Sequence, residues 1–286
     1  MDEKRAAFRL SAPAASGSTS TLRMPGRDSF PGVDDHLVEP EVTRDEIING
    51  RRVVAMPALP PHADKQVDLG YLLRAHAAPG YRVASDLLTR HAVDSDFATD
   101  ACIYQEGVDP ATGTRYLEEL AFEVVSEQNE RIVTEKAEGM HRRGVRRIFA
   151  VFVKGRQRVC EWSPESRSWR PLATGARIED RCLVVPLAVA ALLDAALADN
   201  AVAEALIVKG NPTIRKREDA AEARGKVEGQ AEGTAGAILK VLEARGFAVS
   251  PAQQQEILRC QDLDRLDRWL RRAALASSTS EVLAEP

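Results

Sequence analysis

The chain has 286 residues, a formal net charge of −4, 44% hydrophobic and 29% charged residues. This length is enough to bury a core without disulfides or metals, and the acidic balance excludes nucleic-acid binding through overall charge, although not through a local patch. The four cysteines occur singly, without a CxxC pair, which excludes a zinc ligand set and a disulfide framework and indicates a reduced compartment. No apolar run resembles a signal peptide or a membrane span. We therefore expect a cytoplasmic protein with no membrane partner.

Composition and periodicity divide the chain into three predicted parts. Residues 1–40 are rich in Ser, Pro, Gly and Ala without periodicity, which predicts a disordered N-terminal segment. Residues 41–195 carry mixed strand and helix signals, and residues 196–286 are helical by composition. The prediction is one α/β domain followed by a helical C-terminal region for assembly or partner binding.

Within residues 41–195, strand and helix signals follow one another in a mixed order. An Asn49-Gly50 turn between apolar runs predicts a hairpin over residues 46–56. Apolar residues at helical intervals predict a helix over 63–77, which ends before Gly80. The remaining predictions are strands at 81–88, 96–104 and 120–125, a helix at 129–143, and strands at 147–153 and 156–162. This order is typical of a single α/β domain.

The C-terminal region is predicted to contain helices over 187–197, 213–245 and from Ser250 onward. Within 213–245, glycines recur at 225, 229 and 233, and five apolar residues fall on one face: Ala220, Val227, Ala231, Ile238 and Leu242. Each helical glycine costs about 1 kcal/mol relative to alanine. A closely approaching partner helix would offset this cost, so we expect a homo-oligomer formed through the C-terminal helices. Dinucleotide binding is not favoured, because the glycines lie inside a helix and do not follow a strand.

A glutamate lies at the centre of the predicted strand 120–125. Strand alternation directs its even-numbered residues to one face and its odd-numbered residues, including Glu123, to the other. An ionised carboxylate in a buried strand is costly unless it is paired or binds a metal. Asp96 opens a neighbouring predicted strand and Lys136 lies on the next helix. The alternative readings are a solvated edge glutamate, a strand-capping aspartate and a surface lysine.

Asp96, Glu123 and Lys136 are the residue types used for phosphodiester hydrolysis with a divalent ion. Two carboxylates suit Mg²⁺ or Mn²⁺, which polarises a phosphoryl oxygen and acidifies a water, while a lysine stabilises the nucleophile or the developing charge. Asp100 is a further acid on the same strand. It is a candidate spare ligand, but it lies about 13 Å along an extended strand from Asp96, so we expect it to be out of reach of the shared ion.

A set of short motifs between residues 46 and 193 resembles a known family. The matches are EIING at 46–50, PALPPHADKQVDLGYLL at 57–73, Ser95-Asp96-Phe97, Glu123-Val124-Val125-Ser126, TEK at 134–136 and Gly144-Val145 before RRIFAVF. In this order they resemble the Uma-two type of restriction endonuclease family within the PD-(D/E)XK nuclease superfamily. The resemblance covers about half of the chain, and each motif alone has low specificity.

The resemblance implies a fold, a reaction and a set of roles. The fold is α/β, a restriction-endonuclease-like mixed sheet flanked by helices, here followed by the helical C-terminal module. Metal ligation is implied for Asp96 and Glu123 with the carbonyl of Val124, catalysis for Lys136, an accessory role for Glu46, and a candidate role for His62. The chain departs from the family pattern at Ser95, Ile132 and Met140. We therefore predict a Mg²⁺- or Mn²⁺-dependent endonuclease that hydrolyses DNA, with a catalytically inactive DNA-binding or protein-interaction module as the alternative.

A basic run lies between Arg131 and Arg158, with nine Lys or Arg residues and two acids. Such a run favours contact with a phosphate backbone, although arginines near a helix C-terminus are also favoured by the helix dipole. The predicted contact residues are Arg142, Arg143, Arg146 and Arg147. Few aromatic residues lie in the run, so double-stranded DNA is the expected partner rather than a single strand.

Overall fold

The computed structural model describes residues 30–39, 45–54, 59–126 and 130–284. Most of the segment predicted as disordered, residues 1–29 and 40, lies outside these ranges. Residues 30–39, however, lie against the sheet: Val33 is buried, its carbonyl accepts a hydrogen bond from the Arg90 backbone, and Arg115 forms an ion pair with Asp34. These ten residues are therefore part of the folded domain, contrary to the prediction.

An eight-stranded sheet forms the centre of the molecule. The strands that follow in chain order are β1 (Asp45–Ile48), β2 (Arg51–Val54), β3 (Tyr81–Ala92), β4 (Ser95–Gln105), β5 (Glu118–Val125), β6 (Arg147–Phe152), β7 (Arg158–Ser163) and β8 (Ser168–Pro171). The spatial order is β2-β1-β4-β5-β6-β7-β8, with β3 also paired to β4. All pairs are antiparallel except β5 and β6, which are parallel. The predicted hairpin is confirmed, since Asn49 and Gly50 both have positive φ, as a tight two-residue turn requires.

Helices cover both faces of this sheet. Helix α1 (Pro60–His76) and helix α3 (Ala195–Val208) pack on the face that carries Leu120, Phe122 and Val124. Helix α2 (Glu130–Arg143) packs on the opposite face, with Ala137 and Met140 against Ala121. The alternation predicted for strand 120–125 is thus confirmed. So is the predicted fold class, an α/β mixed sheet flanked by helices and followed by C-terminal helices.

The region after residue 163 differs from the prediction in two respects. The short strands β8, β9 (Arg177–Ile178) and β10 (Leu187–Ala188) were not predicted. The predicted helix over 187–197 is wrong, because β10 pairs with β9, a 3₁₀ turn follows, and α3 begins only after Asp194, whose side chain caps it. Since α3 packs in the same core as α1, the core of the sheet domain extends beyond the predicted boundary at residue 195.

Four helices form the C-terminal region: α4 (Pro212–Ala244), α5 (Pro251–Arg259), α6 (Leu263–Leu275) and α7 (Thr279–Leu283). They share a core of their own, in which Ile238 and Leu242 of α4 meet Ile257, Leu266 and Trp269. Ser250 and Gln253 form a reciprocal capping box at the start of α5. Across the described residues, no helix is long and apolar enough to cross a membrane.

Candidate active site

Glu123 lies in the middle of β5 and points into the layer beneath α2. Its side chain is fully buried, and neither carboxylate oxygen accepts a hydrogen bond. Burial in this environment raises the pKa of Glu123 well above its usual range, an effect to which the nearby Asp100 and Glu46 carboxylates add and which Lys136 opposes. A buried carboxylate without hydrogen-bond partners is rare in folded proteins and identifies a place where function can outweigh stability.

Lys136 reaches this carboxylate from α2. Its Nζ lies 3.7 Å from Oε2 of Glu123, donates to Oε1 of Glu46 at 2.9 Å, and donates to the carbonyl of Ala98 at 3.0 Å. Burial lowers the pKa of Lys136, but the carboxylates of Glu123, Glu46 and Asp100 together raise it above its usual range. The side chain is therefore a fixed cation, held between two acids that lie far apart in sequence.

The strand register brings Asp100 to the same place. Ala101 of β4 pairs with Phe122 of β5, so the preceding residue of β4 lies beside Glu123. Oδ2 of Asp100 accepts a hydrogen bond from the Val124 backbone at 2.6 Å, and its Oδ1 lies 3.3 Å from Nε2 of His62 at the start of α1. The hydrogen bond with Asp100 raises the pKa of His62. Asp100, Glu46 and His62 each keep just under a tenth of their surface exposed, so the cluster opens to solvent on their side.

Asp96 does not lie in this cluster, and the expectation that it meets Glu123 is corrected here. It lies four residues before Asp100, about 13 Å along an extended strand. Its two oxygens contact residues outside the cluster: Oδ1 lies 3.0 Å from Nδ1 of His36, and Oδ2 accepts a hydrogen bond from the Leu37 backbone at 2.6 Å. The sequence argument placed the shared ion at Asp96, whereas the strand register places Asp100 beside Glu123. Nothing in the sequence fixes this register, so the choice between Asp96 and Asp100 required the tertiary structure.

Of the other predicted site residues, Glu46, His62 and Lys136 meet Glu123 and Asp100 in one cluster, to which we refer as the acid–lysine cluster. The backbone of Val124 is adjacent to it. Val125 directs its carbonyl to Val153 on the β6 side, so Val124, one residue earlier, directs its backbone groups to the β4 side. The Val124 N–H donates a hydrogen bond to Asp100 of β4, and the Val124 carbonyl also faces β4.

The donor set of the acid–lysine cluster fits a divalent ion that keeps water ligands. Among the described residues, no group of three or more His, Cys, Asp and Glu side chains is arranged around a common point, which excludes a ready-made all-side-chain cage in those ranges. Mg²⁺ does not need such a cage, because it is usually held by one or two carboxylates with waters and substrate oxygens. The pair Asp100 and Glu123, with the Val124 carbonyl nearby, fits this pattern, and the orphan oxygens of Glu123 are the strongest sign of it.

The arginines predicted to contact DNA lie away from the acid–lysine cluster and are mostly engaged. Arg147 pairs with Leu120 at the start of β5, three residues before Glu123, and forms ion pairs with Glu161 and Asp180. Arg146 forms ion pairs with Glu119 and Asp180. The remaining two lie at the C-terminus of α2: Arg143 donates to the Pro31 carbonyl and stacks on Phe30, and Arg142 is exposed.

A different basic segment lies at the same edge of the sheet as the site. Because β5 and β6 are parallel, their carboxyl ends share one edge. The turn after β6 carries Lys154 and Arg156, both of which are exposed. Both residues belong to the basic run that the sequence shows, but the predicted DNA contacts lie before or at the start of β6 and not after its end. The run alone does not show which end of β6 is near the acid–lysine cluster.

The comparison with solved structures gives a structural likeness. No family model matches the chain, and no curated protein matches it. A solved structure from Anabaena variabilis ATCC 29413, described as "a putative nuclease belonging to DUF820", aligns with a TM-score of 0.43 at 13% identity, covering 52% of this chain and 88% of that one.

Proposed function

We propose that this protein is a nuclease that hydrolyses phosphodiester bonds of double-stranded DNA with the help of Mg²⁺ or Mn²⁺. The observation that carries the proposal is the acid–lysine cluster: two adjacent buried carboxylates, one of them without hydrogen-bond partners, beside a fixed ammonium group. Asp100 and Glu123 would hold the ion, with the Val124 carbonyl as a further ligand. When bound, the ion would polarise a phosphoryl oxygen and acidify a water.

The remaining side chains of the cluster have separate roles in this proposal. Lys136 keeps its proton, because the surrounding carboxylates raise its pKa, so it stabilises negative charge on the phosphoryl group and does not act as a base. Glu46 holds Lys136 in place by accepting from both its Nζ and the Ala98 backbone. His62 orients Asp100 through their shared contact.

Nicking of supercoiled plasmid by the purified protein tests the proposal directly. We expect conversion to open circles with Mg²⁺ or Mn²⁺ and none with EDTA, and we expect Glu123→Gln and Lys136→Ala to remove the activity. Arg142→Ala is a control for the cluster, since this residue is exposed and is not one of the side chains of the cluster. Absence of nicking by the wild-type protein with both metals would refute the proposal.

The turn after β6 suggests a second experiment, which tests where the DNA binds. We propose that Lys154 and Arg156 contact the phosphate backbone, and we expect Arg156→Glu to weaken binding and to reduce its salt dependence. Arg142→Glu, the same charge reversal on the opposite side, is the control and tests the residue predicted from the sequence. A larger effect at Arg142 than at Arg156 would place the DNA at the C-terminus of α2 instead.

The alternative, a nuclease fold that binds DNA or another protein without cutting it, also has an observation in its favour. Lys136 lies between Glu46 and Glu123 and can neutralise them without a metal. Salt-dependent DNA binding by a protein that never nicks plasmid would select this function over hydrolysis.

A further inference from the structure

Asp100 lies where β4 separates from β5, so the pairing of these strands does not fix its position. The pairing ends at Ala101 and Phe122. Beyond that point the side chain of Asp100, and not a backbone carbonyl, accepts the hydrogen bond of the Val124 N–H. A metal ligand has to be held within about 0.5 Å of its productive position. Other contacts must therefore hold Asp100 in place.

Gln66 of α1 provides such a contact. Its Nε2 donates to the backbone carbonyl of Asp100 at 3.0 Å and to Oδ1 of Asp86 at 2.6 Å. Gln66 follows His62 by four residues, so the two side chains lie on the same face of the helix. His62 contacts the carboxylate of Asp100, whereas Gln66 contacts its backbone. Two adjacent turns of α1 therefore hold this aspartate at both ends.

Asp86 of β3, the other acceptor of Gln66, has an unusual backbone conformation. The pairing of β3 with β4 places it opposite Asp100. Its φ is +51°, in the left-handed region that residues other than glycine rarely adopt. Like charges at opposite positions of neighbouring strands also destabilise a sheet. Backbone strain of this kind persists only where the surrounding structure imposes it, which occurs most often at functional sites.

We propose that Gln66 is a positioning residue for the metal ligand Asp100, and that Asp86 holds Gln66 in the orientation that this role requires. An ionised aspartate can only accept hydrogen bonds. Asp86 therefore selects the orientation of the Gln66 amide in which Nε2, and not Oε1, faces the Asp100 carbonyl. This inference rests on the proposed function, in which Asp100 holds the ion. It makes ion binding depend on two residues outside the acid–lysine cluster.

Binding of Mn²⁺ in the absence of DNA, measured by calorimetry, tests the role of Gln66. We expect Gln66→Ala to weaken binding by about 10- to 100-fold, which is the usual effect of removing a group that orients a metal ligand. Val67→Ala is the matched control, because Val67 is the next residue of the same helix and is 72% exposed. This control should bind Mn²⁺ as the wild type does. Equal affinities of Gln66→Ala and the wild type would overturn the proposal.

Two substitutions of Asp86 test how Gln66 is held. Asp86→Asn and Asp86→Gly both remove the charge, and both residues tolerate the left-handed conformation. Only asparagine keeps an oxygen that can accept from Gln66. We expect Asp86→Gly to bind Mn²⁺ about tenfold more weakly than Asp86→Asn. Equal affinities of these two variants would show that the acceptor at position 86 is not needed.

Plasmid nicking at increasing Mg²⁺ concentration separates positioning from catalysis. In Gln66→Ala the Mg²⁺ concentration that gives half of the maximal rate should rise by about tenfold. The rate at saturating Mg²⁺ should approach that of the wild type, because Asp100, Glu123 and Lys136 are all still present. A lower maximal rate with an unchanged half-maximal concentration would assign Gln66 to the chemical step and contradict the positioning role.

The amide proton of Val124 reports the position of Asp100 without metal, DNA or catalysis. A hydrogen bond from an amide to a carboxylate is short and strong, so its proton resonates downfield and exchanges slowly with solvent. We expect Gln66→Ala to move the Val124 resonance upfield and to accelerate its exchange. The amide of Ala121, within the paired part of β5, should not change.

This signal also separates failure of the inference from failure of the proposed function. A wild-type protein that binds no ion and nicks no plasmid would refute the proposed function, and the Val124 resonance would still show whether Gln66 positions Asp100. An unchanged Val124 resonance in Gln66→Ala would overturn the inference, whatever the outcome with metal.

Discussion

Asp96 and Glu123 are both fully buried acids on strands of the same sheet, yet their surroundings are opposite. Both oxygens of Asp96 are engaged, one by His36 and one by the Leu37 backbone, whereas Glu123 has no hydrogen-bond partner. A satisfied buried carboxylate contributes to stability, while an unsatisfied one costs free energy unless something binds it. Burial alone therefore does not show whether an acid stabilises the fold or serves a site. The groups that contact the acid distinguish the two roles.

We expect the largest effect on plasmid nicking when the two aspartates of β4 are substituted one at a time. Asp100→Asn should lower plasmid nicking by on the order of 100-fold or more, the scale of losing one preorganised electrostatic contact. Asp96→Asn should leave the rate near that of the wild type, because Asp96 lies outside the acid–lysine cluster. The comparison would break if both substitutions were equally damaging under conditions in which both variants remain folded.

Metal-dependent stability tests the same contrast without requiring catalysis. An ion that binds only the folded state stabilises it by about 2.7 kcal/mol at one hundred times its dissociation constant, so Mg²⁺ or Mn²⁺ should raise the melting temperature of the wild-type protein. The rise should persist in Asp96→Asn and vanish in Glu123→Gln. A rise of equal size in all three proteins would place the ion elsewhere.

Without metal, the two substitutions should change stability in opposite directions. Asp96→Asn removes a charged hydrogen-bond acceptor and should cost about 1–3 kcal/mol. The folded-state pKa of Glu123 is raised by burial, so stability falls as the pH rises from the unfolded value toward the folded one. Glu123→Gln removes that loss and should increase the free energy of unfolding at pH 7.5. Urea unfolding of the metal-free proteins measures both, and destabilisation by Glu123→Gln would contradict the assignment.

His91 sharpens the comparison because it is a buried group without hydrogen bonds that lies outside the cluster. Neither ring nitrogen has a partner, the ring stacks on Phe97 at 4.1 Å, and burial lowers its pKa well below the usual value. The unfolded chain therefore binds a proton that the folded one does not, and stability falls below about pH 6.5 by at most about 1.4 kcal/mol per pH unit.

We expect His91→Phe to reduce this loss of stability between pH 7 and pH 5, with nicking unchanged at pH 7.5. Thermal unfolding at the two pH values measures the difference. Burial also lowers the pKa of His76. The His91→Phe variant should therefore keep the part of the stability loss at acidic pH that His76 causes. An unchanged pH dependence would mean that His91 is hydrated or paired in solution.

Much of the sheet could be predicted from local pattern. The hairpin at Asn49-Gly50, the alternation around Glu123 and the helix that carries Lys136 all follow from neighbouring residues, and each is present in the structure. The stretch 187–197 was mistaken for one helix because its apolar composition does not distinguish a short strand and a 3₁₀ turn from a helix. The pairing of β10 with β9 decides its conformation.

The sequence by itself determined which chemistry the molecule can offer: an acid at the centre of a buried strand, and a lysine on the helix that follows. Only the tertiary structure decided which aspartate joins them, because strand register depends on long-range pairing. Ala101 opposite Phe122 places Asp100 beside Glu123, and the contacts of residues 36 and 37 engage Asp96 elsewhere. A one-residue shift in register would reverse the side chains on the strand, which is why the site depends on the fold as a whole.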